Sequence, residues 1–208
     1  MSGEKCRVAV LASGRGSNFK ALAERCQDPA FSCTVACLVT DDRSAAAVSV
    51  AESFGIPVHV IDAGERRGRL QAGAEAEIVG RCRESRADLV FLAGFMRILE
   101  GELLEHFAGR VMNIHPSLLP SFKGLNAQRQ AFEYGVRVAG CTVHFVDASV
   151  DGGPIILQHA VPVRDDDNVD TLRDRILAEE HHAVVRAADL FARGKLRIGD
   201  RRVLGTEG

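Results

Sequence analysis

The chain has 208 residues, 46% of them apolar and 26% charged, with a formal net charge of -2 at pH 7. This balance excludes a disordered chain, and the scattered Lys and Arg residues form no basic face of the kind a nucleic-acid binder needs. No run of about 18 apolar residues is present, so a membrane helix is not expected. The polar start Met1–Arg7 leads straight into a strand and does not read as a signal peptide.

Arg7–Ala12 is a β-branched run stopped by Ser-Gly, which predicts a buried strand. Ser17–Cys26 has helical spacing, with Phe19, Leu22 and Ala23 on one face. Val35–Thr40 reads as a second strand, Ser44–Phe54 as an Ala-rich helix closed by Gly55 and Pro57, and Val58–Ile61 as a third strand. Leu70, Ala74, Ile78 and Cys82 recur every fourth residue, which predicts a helix over Arg69–Ser85. Leu89–Ala93 is continuously apolar, as in a strand covered on both faces.

Val111–Ile114 is a strand running into Pro116 and Pro120, and Leu125–Tyr134 is a short helix ended by Gly135. Cys141–Val146 and Ile155–Val163 flank a turn at Asp151–Pro154, so they are expected to pair antiparallel. Val169–Arg193 is the last long helix, closed by Gly194. The fold expected is α/β: a doubly wound, mainly parallel, Rossmann-like sheet with a mixed, partly antiparallel C-terminal portion. One domain over residues 1–208 is expected, with an N-terminal half to about residue 110 and a C-terminal half from about 111.

The six cysteines Cys6, Cys26, Cys33, Cys37, Cys82 and Cys141 lie in apolar segments with no Cys-x-x-Cys pair. That pattern argues against a zinc site and for reduced thiols in a cytoplasmic protein. The basic run Arg66, Arg67 and Arg69 is short and flanked by acids, as in a solvated loop.

Four motifs could carry chemistry. Ser13–Asn18 (SGRGSN) joins a strand to a helix, whose free N–H groups and dipole suit a phosphate; a plain tight turn with Ser17 or Asn18 as N-cap is the simpler alternative. Asp41, ending the second strand, invites a dinucleotide reading, but Phe19 stands where a third glycine belongs. Asn113 and His115, two apart on a strand, would share a face, and an amide beside an imidazole suits a carbonyl that becomes an oxyanion. Asp151, before Gly152-Gly153-Pro154, is an ordinary turn when taken alone and a ring-orienting carboxylate when taken with His115. Gly94–Leu99 breaks a buried strand and presents an apolar stretch, either a plain strand end or a slot for a flat heterocycle.

In order and spacing, SGRGSN, AGFMRIL (Ala93–Leu99), NIHPSLLP (Asn113–Pro120) and DGGP (Asp151–Pro154) resemble the folate-dependent formyltransferases. Within that superfamily the Ser13–Asn18 start resembles the phosphoribosylglycinamide formyltransferases, or GAR transformylases, and the likeness covers roughly Arg7 to Arg197. It implies transfer of a formyl group from 10-formyltetrahydrofolate to the amine of glycinamide ribonucleotide, without a metal. Asn113, His115 and Asp151 would be catalytic, while Gly16, Ser17, Asn18 and Glu180 would hold the ribonucleotide. Arg69, Met96, Arg97, Ile98, Leu99, Asn113 and the segment Asp147, Ala148, Ser149, Val150 and Asp151 would meet the folate. The arginine for the folate tail would be one of Arg66, Arg67 and Arg69. Asn126 and Leu177 depart from the family pattern.

The resemblance further implies small-molecule partners only, no nucleic acid, no membrane, and a monomer or weak homodimer. Two other activities remain open. Formyltetrahydrofolate hydrolase usually carries an additional N-terminal domain, and a non-catalytic nucleotide-binding module would not require Asn113, His115 and Asp151.

Overall fold

A computed structural model describes residues 4–64, 68–99 and 101–206. Among them are nine strands and six helices, and the chain divides into two compact units, residues 1–112 and 113–208. No helix among the described residues is long and apolar enough to cross a membrane.

The first unit holds β1 (Cys6–Leu11), α1 (Ser17–Cys26), β2 (Cys33–Thr40), α2 (Ala46–Ser53), β3 (Val58–Val60), α3 (Ala74–Glu84), β4 (Leu89–Leu92) and α4 (Glu102–His106). Its strands run in the order β3-β2-β1-β4 and every pair is parallel. Val8–Leu11 and Leu89–Phe91 are fully buried, as their unbroken apolar runs require. Phe19, Leu22 and Ala23 are the buried stripe of α1. Because the strands are parallel, the loops after Leu11, Thr40 and Leu92 all leave the same edge, where open α/β sheets place ligands.

One boundary departs from the sequence expectation. The helix read over Arg69–Ser85 begins at Ala74, with Gly73 as its N-cap in left-handed backbone (φ 84°) that breaks the helical run. Arg69 is instead extended, bridged in parallel to Ile98. The four-residue recurrence therefore overran by one turn.

The second unit begins within β5 (Val111–His115) and continues through α5 (Ala127–Tyr134), β6 (Val138–Phe145), β7 (Ile155–Pro162), α6 (Val169–Ala192), β8 (Arg197–Gly199) and β9 (Arg202–Leu204). β6 and β7 are antiparallel, as the turn at Asp151–Pro154 predicted. β9 joins β7 in parallel and β8 in an antiparallel hairpin. This last hairpin and α4 were not anticipated; both strands of the hairpin are short and largely exposed, so they lack an apolar pattern. The fold is thus mixed α/β, parallel in the first unit and partly antiparallel in the second.

α6 buries Leu172, Ile176, Ala183, Val184, Ala187 and Ala188 and packs on β6 and β7. Asn168 caps it, its side chain accepting from the amides of Asp170 and Thr171 at 2.9 and 3.0 Å, while the Thr171 hydroxyl accepts from the Asn168 amide at 2.9 Å. Asn168→Ala is expected to cost about 1 kcal/mol, a typical cap loss, measured as a lower urea midpoint at unchanged slope.

Candidate functional site

In the second unit β5 carries Asn113 and His115, and the β6–β7 turn carries Asp151. His115 is 5% exposed and its Nδ1 stands 3.3 Å from Asp151 Oδ2. On its other side Nε2 donates to the Phe122 carbonyl at 2.9 Å. Both partners sit in left-handed backbone, Asp151 at φ 47° and Phe122 at φ 54°. Such conformations cost of order 1–3 kcal/mol for side-chain-bearing residues and persist where the surroundings impose them, often at functional sites.

Those surroundings are visible. The Gly124 amide donates to Asp151 Oδ2 at 2.8 Å, closing the turn onto the segment after His115. Buried Thr142 on β6 donates to the Ser117 carbonyl at 2.7 Å and accepts from the Leu119 amide at 3.1 Å. Gln158 on β7 donates to the Leu119 carbonyl at 2.9 Å and to Thr142 Oγ1 at 3.0 Å. The proline-bearing segment after β5 is therefore fixed by side chains of β6 and β7.

Sequence reasoning missed His144. It lies on β6 in an apolar run and is 1% exposed, so its pattern is that of a core residue. Its Nδ1 donates to the Phe145 carbonyl at 2.8 Å, leaving Nε2 as an acceptor for Asn113 Nδ2 at 3.2 Å. Burial holds its pKa below the usual histidine value, against the opposing pull of the Phe145 carbonyl and the Asp151 carboxylate. A neutral ring is what this bonding pattern demands. Nε2 also stands 3.8 Å from Asp151 Oδ1. Asn113 thus spends one amide hydrogen on His144 and keeps its second for another acceptor.

Asp147–Val150 form an exposed loop, with Val150 59% exposed. Asp147 accepts from the Ser149 amide at 2.8 Å and from its hydroxyl. Burial pushes the Asp147 carboxyl up, but these bonds together hold it below the ordinary carboxylate value. Glu180 is buried on α6 at 6% exposure, close enough to Cys141 to help push that thiol up to about 12, an effect led by burial. Asn126 takes a left-handed conformation (φ 58°) as N-cap of α5.

The first unit holds the glycine loop. Gly16 is the N-cap of α1 at φ 69°, with no side-chain cap, so neither Ser17 nor Asn18 is the N-cap. A Cβ on Gly16 would come within 2.8 Å of Ala47, so the residue is required for both conformation and space. The loop is held on two sides: the Ala47 amide donates to the Gly14 carbonyl and the Ser13 amide to the Gly94 carbonyl, each at 3.2 Å. Asn18 is buried and Ser17 half-buried at the first turn of α1.

Met96 and Ile98 are 58% and 48% exposed, while Leu99 is buried. Arg97 does not face outward: Nε donates to Asp41 Oδ2 at 2.6 Å, and its two terminal nitrogens reach the carbonyls of Arg69 and Gly64, each at 3.3 Å. Asp41 is thereby engaged by a guanidinium, which weighs against its serving a ribose. Arg69 is exposed on the strand bridge to Ile98, whereas Arg66 and Arg67 lie outside the described residues. Among the described residues no group of three or more His, Cys, Asp or Glu is placed to hold a metal ion.

Residues 6–188 match the formyl transferase family model. The chain is 45% identical to the human trifunctional purine biosynthetic protein adenosine-3 over 95% of its own length, and spans about a fifth (19%) of that protein. It is 41% identical to the phosphoribosylglycinamide formyltransferase of Bacillus subtilis over 84% of this chain and 89% of that one. The glycinamide ribonucleotide transformylase 1 structure from Symbiobacterium toebii superposes with a TM-score of 0.91 at 46% identity, covering 97% of this chain and 94% of that chain. A match of this extent, over both units, places the sequence within a known group: the chain belongs to the formyl transferase family.

Proposed function

We propose that this chain transfers a formyl group from 10-formyltetrahydrofolate to the amine of glycinamide ribonucleotide, a step of purine biosynthesis. The observation that carries the reading is the Asn113, His115 and Asp151 constellation on a formyl transferase fold. The near full-length likeness to a bacterial phosphoribosylglycinamide formyltransferase supplies the acceptor.

The unprotonated glycinamide amine attacks the formyl carbon, forming a C–N bond while the carbonyl oxygen becomes an oxyanion. Asn113 gives the oxyanion its second amide hydrogen, the first being held by His144. His115, oriented by Asp151, exchanges its bond to the Phe122 carbonyl for a bond to the oxyanion. Collapse breaks the bond to the folate nitrogen, and the amine proton passes to that nitrogen through the His115–Asp151 pair and an ordered water. The Gly16–Asn18 turn at the start of α1 binds the phosphate, and Glu180 meets the ribose. The segments 96–99 and 147–151, with Arg69, receive the folate. The enzyme acts on small molecules in the cytoplasm, as a monomer or weak homodimer, and uses no metal.

Arg97 contributes by fixing the backbone of residues 96–99 rather than by touching the donor with its charge. Arg97→Lys keeps the charge but loses the fork that spans Asp41 and two carbonyls. It is expected to raise the KM for the formyl donor about tenfold, equivalent to roughly 1.4 kcal/mol, with a smaller change in kcat, read by steady-state kinetics.

The reading is tested by following folate release spectrophotometrically with and without glycinamide ribonucleotide. Release that requires the ribonucleotide supports the transferase. Release without it identifies a formyltetrahydrofolate hydrolase, and no release with either leaves a binding module.

A further inference from the structure

We propose that Cys6 and Cys33 form a peroxide-sensitive dithiol that closes reversibly into a disulfide. The two residues are direct partners in the parallel β1–β2 register, so both side chains leave the same face of the sheet. Neighbouring strands lie about 4.7–4.9 Å apart, inside the roughly 4.4–6.8 Å Cα separation that a disulfide spans. The Cys33 side chain is near enough to act on the Cys6 thiol. Cys6 is half-exposed at the start of β1, whereas Cys33 is buried.

The other thiols are less reactive by environment. The Cys33 side chain holds Cys6 below the ordinary thiol pKa, despite burial and the nearby Asp88 carboxylate. Burial pushes Cys26 up to about 11 and Cys82 and Cys141 up to about 12, and raises Cys37 as well. A thiolate is the nucleophile toward peroxide, so oxidation starts at the half-exposed Cys6.

The Cys6 thiolate attacks one oxygen of hydrogen peroxide, the O–O bond breaks, and the departing hydroxide leaves as water, giving a sulfenic acid. The Cys33 sulfur then attacks Cys6 Sγ, the S–O bond breaks, and a second water leaves. Two thiols lose two electrons in total, and the peroxide gains them. A reducing dithiol reverses the bond by exchange. The cross-link ties the first residues of β1 and β2 together at the strand ends opposite the glycine loop of the first unit.

The full chain is treated with a small molar excess of hydrogen peroxide, then alkylated, digested without reductant and mapped by mass spectrometry. The expected result is a single cross-linked Cys6–Cys33 peptide, a chain mass lower by two hydrogens, two of the six thiols lost, and full recovery with dithiothreitol. Cys6→Ser is expected to abolish the cross-link, and Cys33→Ala to let Cys6 advance to the sulfinic acid. Far-UV circular dichroism shows whether each variant has folded; if Cys33→Ala has not, the peptide map of the unmodified sequence still decides. Sulfinic Cys6 with Cys33 still free in the unmodified chain overturns the proposal, and so does a cross-link joining Cys6 to Cys26.

Discussion

Asn113→Ala is expected to lower kcat by about 100- to 1000-fold, the usual loss when one preorganised donor to an oxyanion is removed. The expectation rests on a count of hydrogens. Asn113 has two amide hydrogens, and His144 Nε2 takes one at 3.2 Å. The geometry of the amide is fixed because His144 is itself fixed, through Nδ1 and the Phe145 carbonyl at 2.8 Å. A ring kept neutral by burial can accept from Asn113, whereas a protonated ring could not. Removing the amide leaves the acceptor in place and deletes the donor, so donor and acceptor KM should change far less than kcat. Rapid-quench kinetics under saturating substrates measures this. A variant retaining more than about a tenth of normal turnover would mean that Asn113 does not hold the oxyanion.

Gly153→Ala should destabilise the second unit by about 3 kcal/mol or more, at or beyond the upper end of typical overpacking costs. A Cβ there would lie 1.9 Å from the Phe145 carbonyl oxygen and 3.0 Å from its carbon. Both contacts are backbone, so no side chain can rotate out of the way. The same place holds the Phe145 amide to the Pro154 carbonyl at 2.9 Å, which a shift would break. Asp151 lies two residues away and would move with the turn, so turnover should fall together with stability. The thermal midpoint should drop by roughly 6–12 °C. Gly152→Ala is the instructive contrast, since its Cβ would meet the hydroxyl of Ser149 at 2.2 Å. That side chain sits on an exposed loop and can turn away, so Gly152→Ala should lose much less stability, by differential scanning calorimetry.

Much of this architecture was legible in the chain because the relevant signals are local. The apolar run at Leu89–Leu92 and the stripe Phe19, Leu22 and Ala23 carry their burial in their spacing. The antiparallel β6–β7 pair was legible from a turn rich in glycine. What was not legible depends on distant partners. Nothing near Arg97 in sequence announces Asp41, 56 residues earlier, yet that pairing decides where the guanidinium goes. His144 stands among apolar residues, and only its contact with Asn113, 31 residues before it, distinguishes it from core. The left-handed backbone of Phe122 and Asp151 belongs to residue types that give no glycine signal. The overrun of α3 to Arg69 has the opposite cause: periodicity alone cannot register that the helix starts only after Gly73 and that Ile98 pairs Arg69 as a strand.

The candidate trio was legible as residue types but not as an arrangement. Spacing placed Asn113 and His115 on one face, while the approach of Asp151 to His115 at 3.3 Å required the β6–β7 turn to be built. Its support by Gly124, Thr142 and Gln158 involves residues that no motif singles out.

The central claim is group transfer to an amine, and the most direct measurement follows the carbon itself. A formyl donor labelled with carbon-13 is mixed with the enzyme and glycinamide ribonucleotide, and the products are examined by NMR. The account predicts that the label appears as a formamide on the ribonucleotide, at the rate at which deformylated folate appears. Label recovered as free formate, or left on the donor, would contradict it.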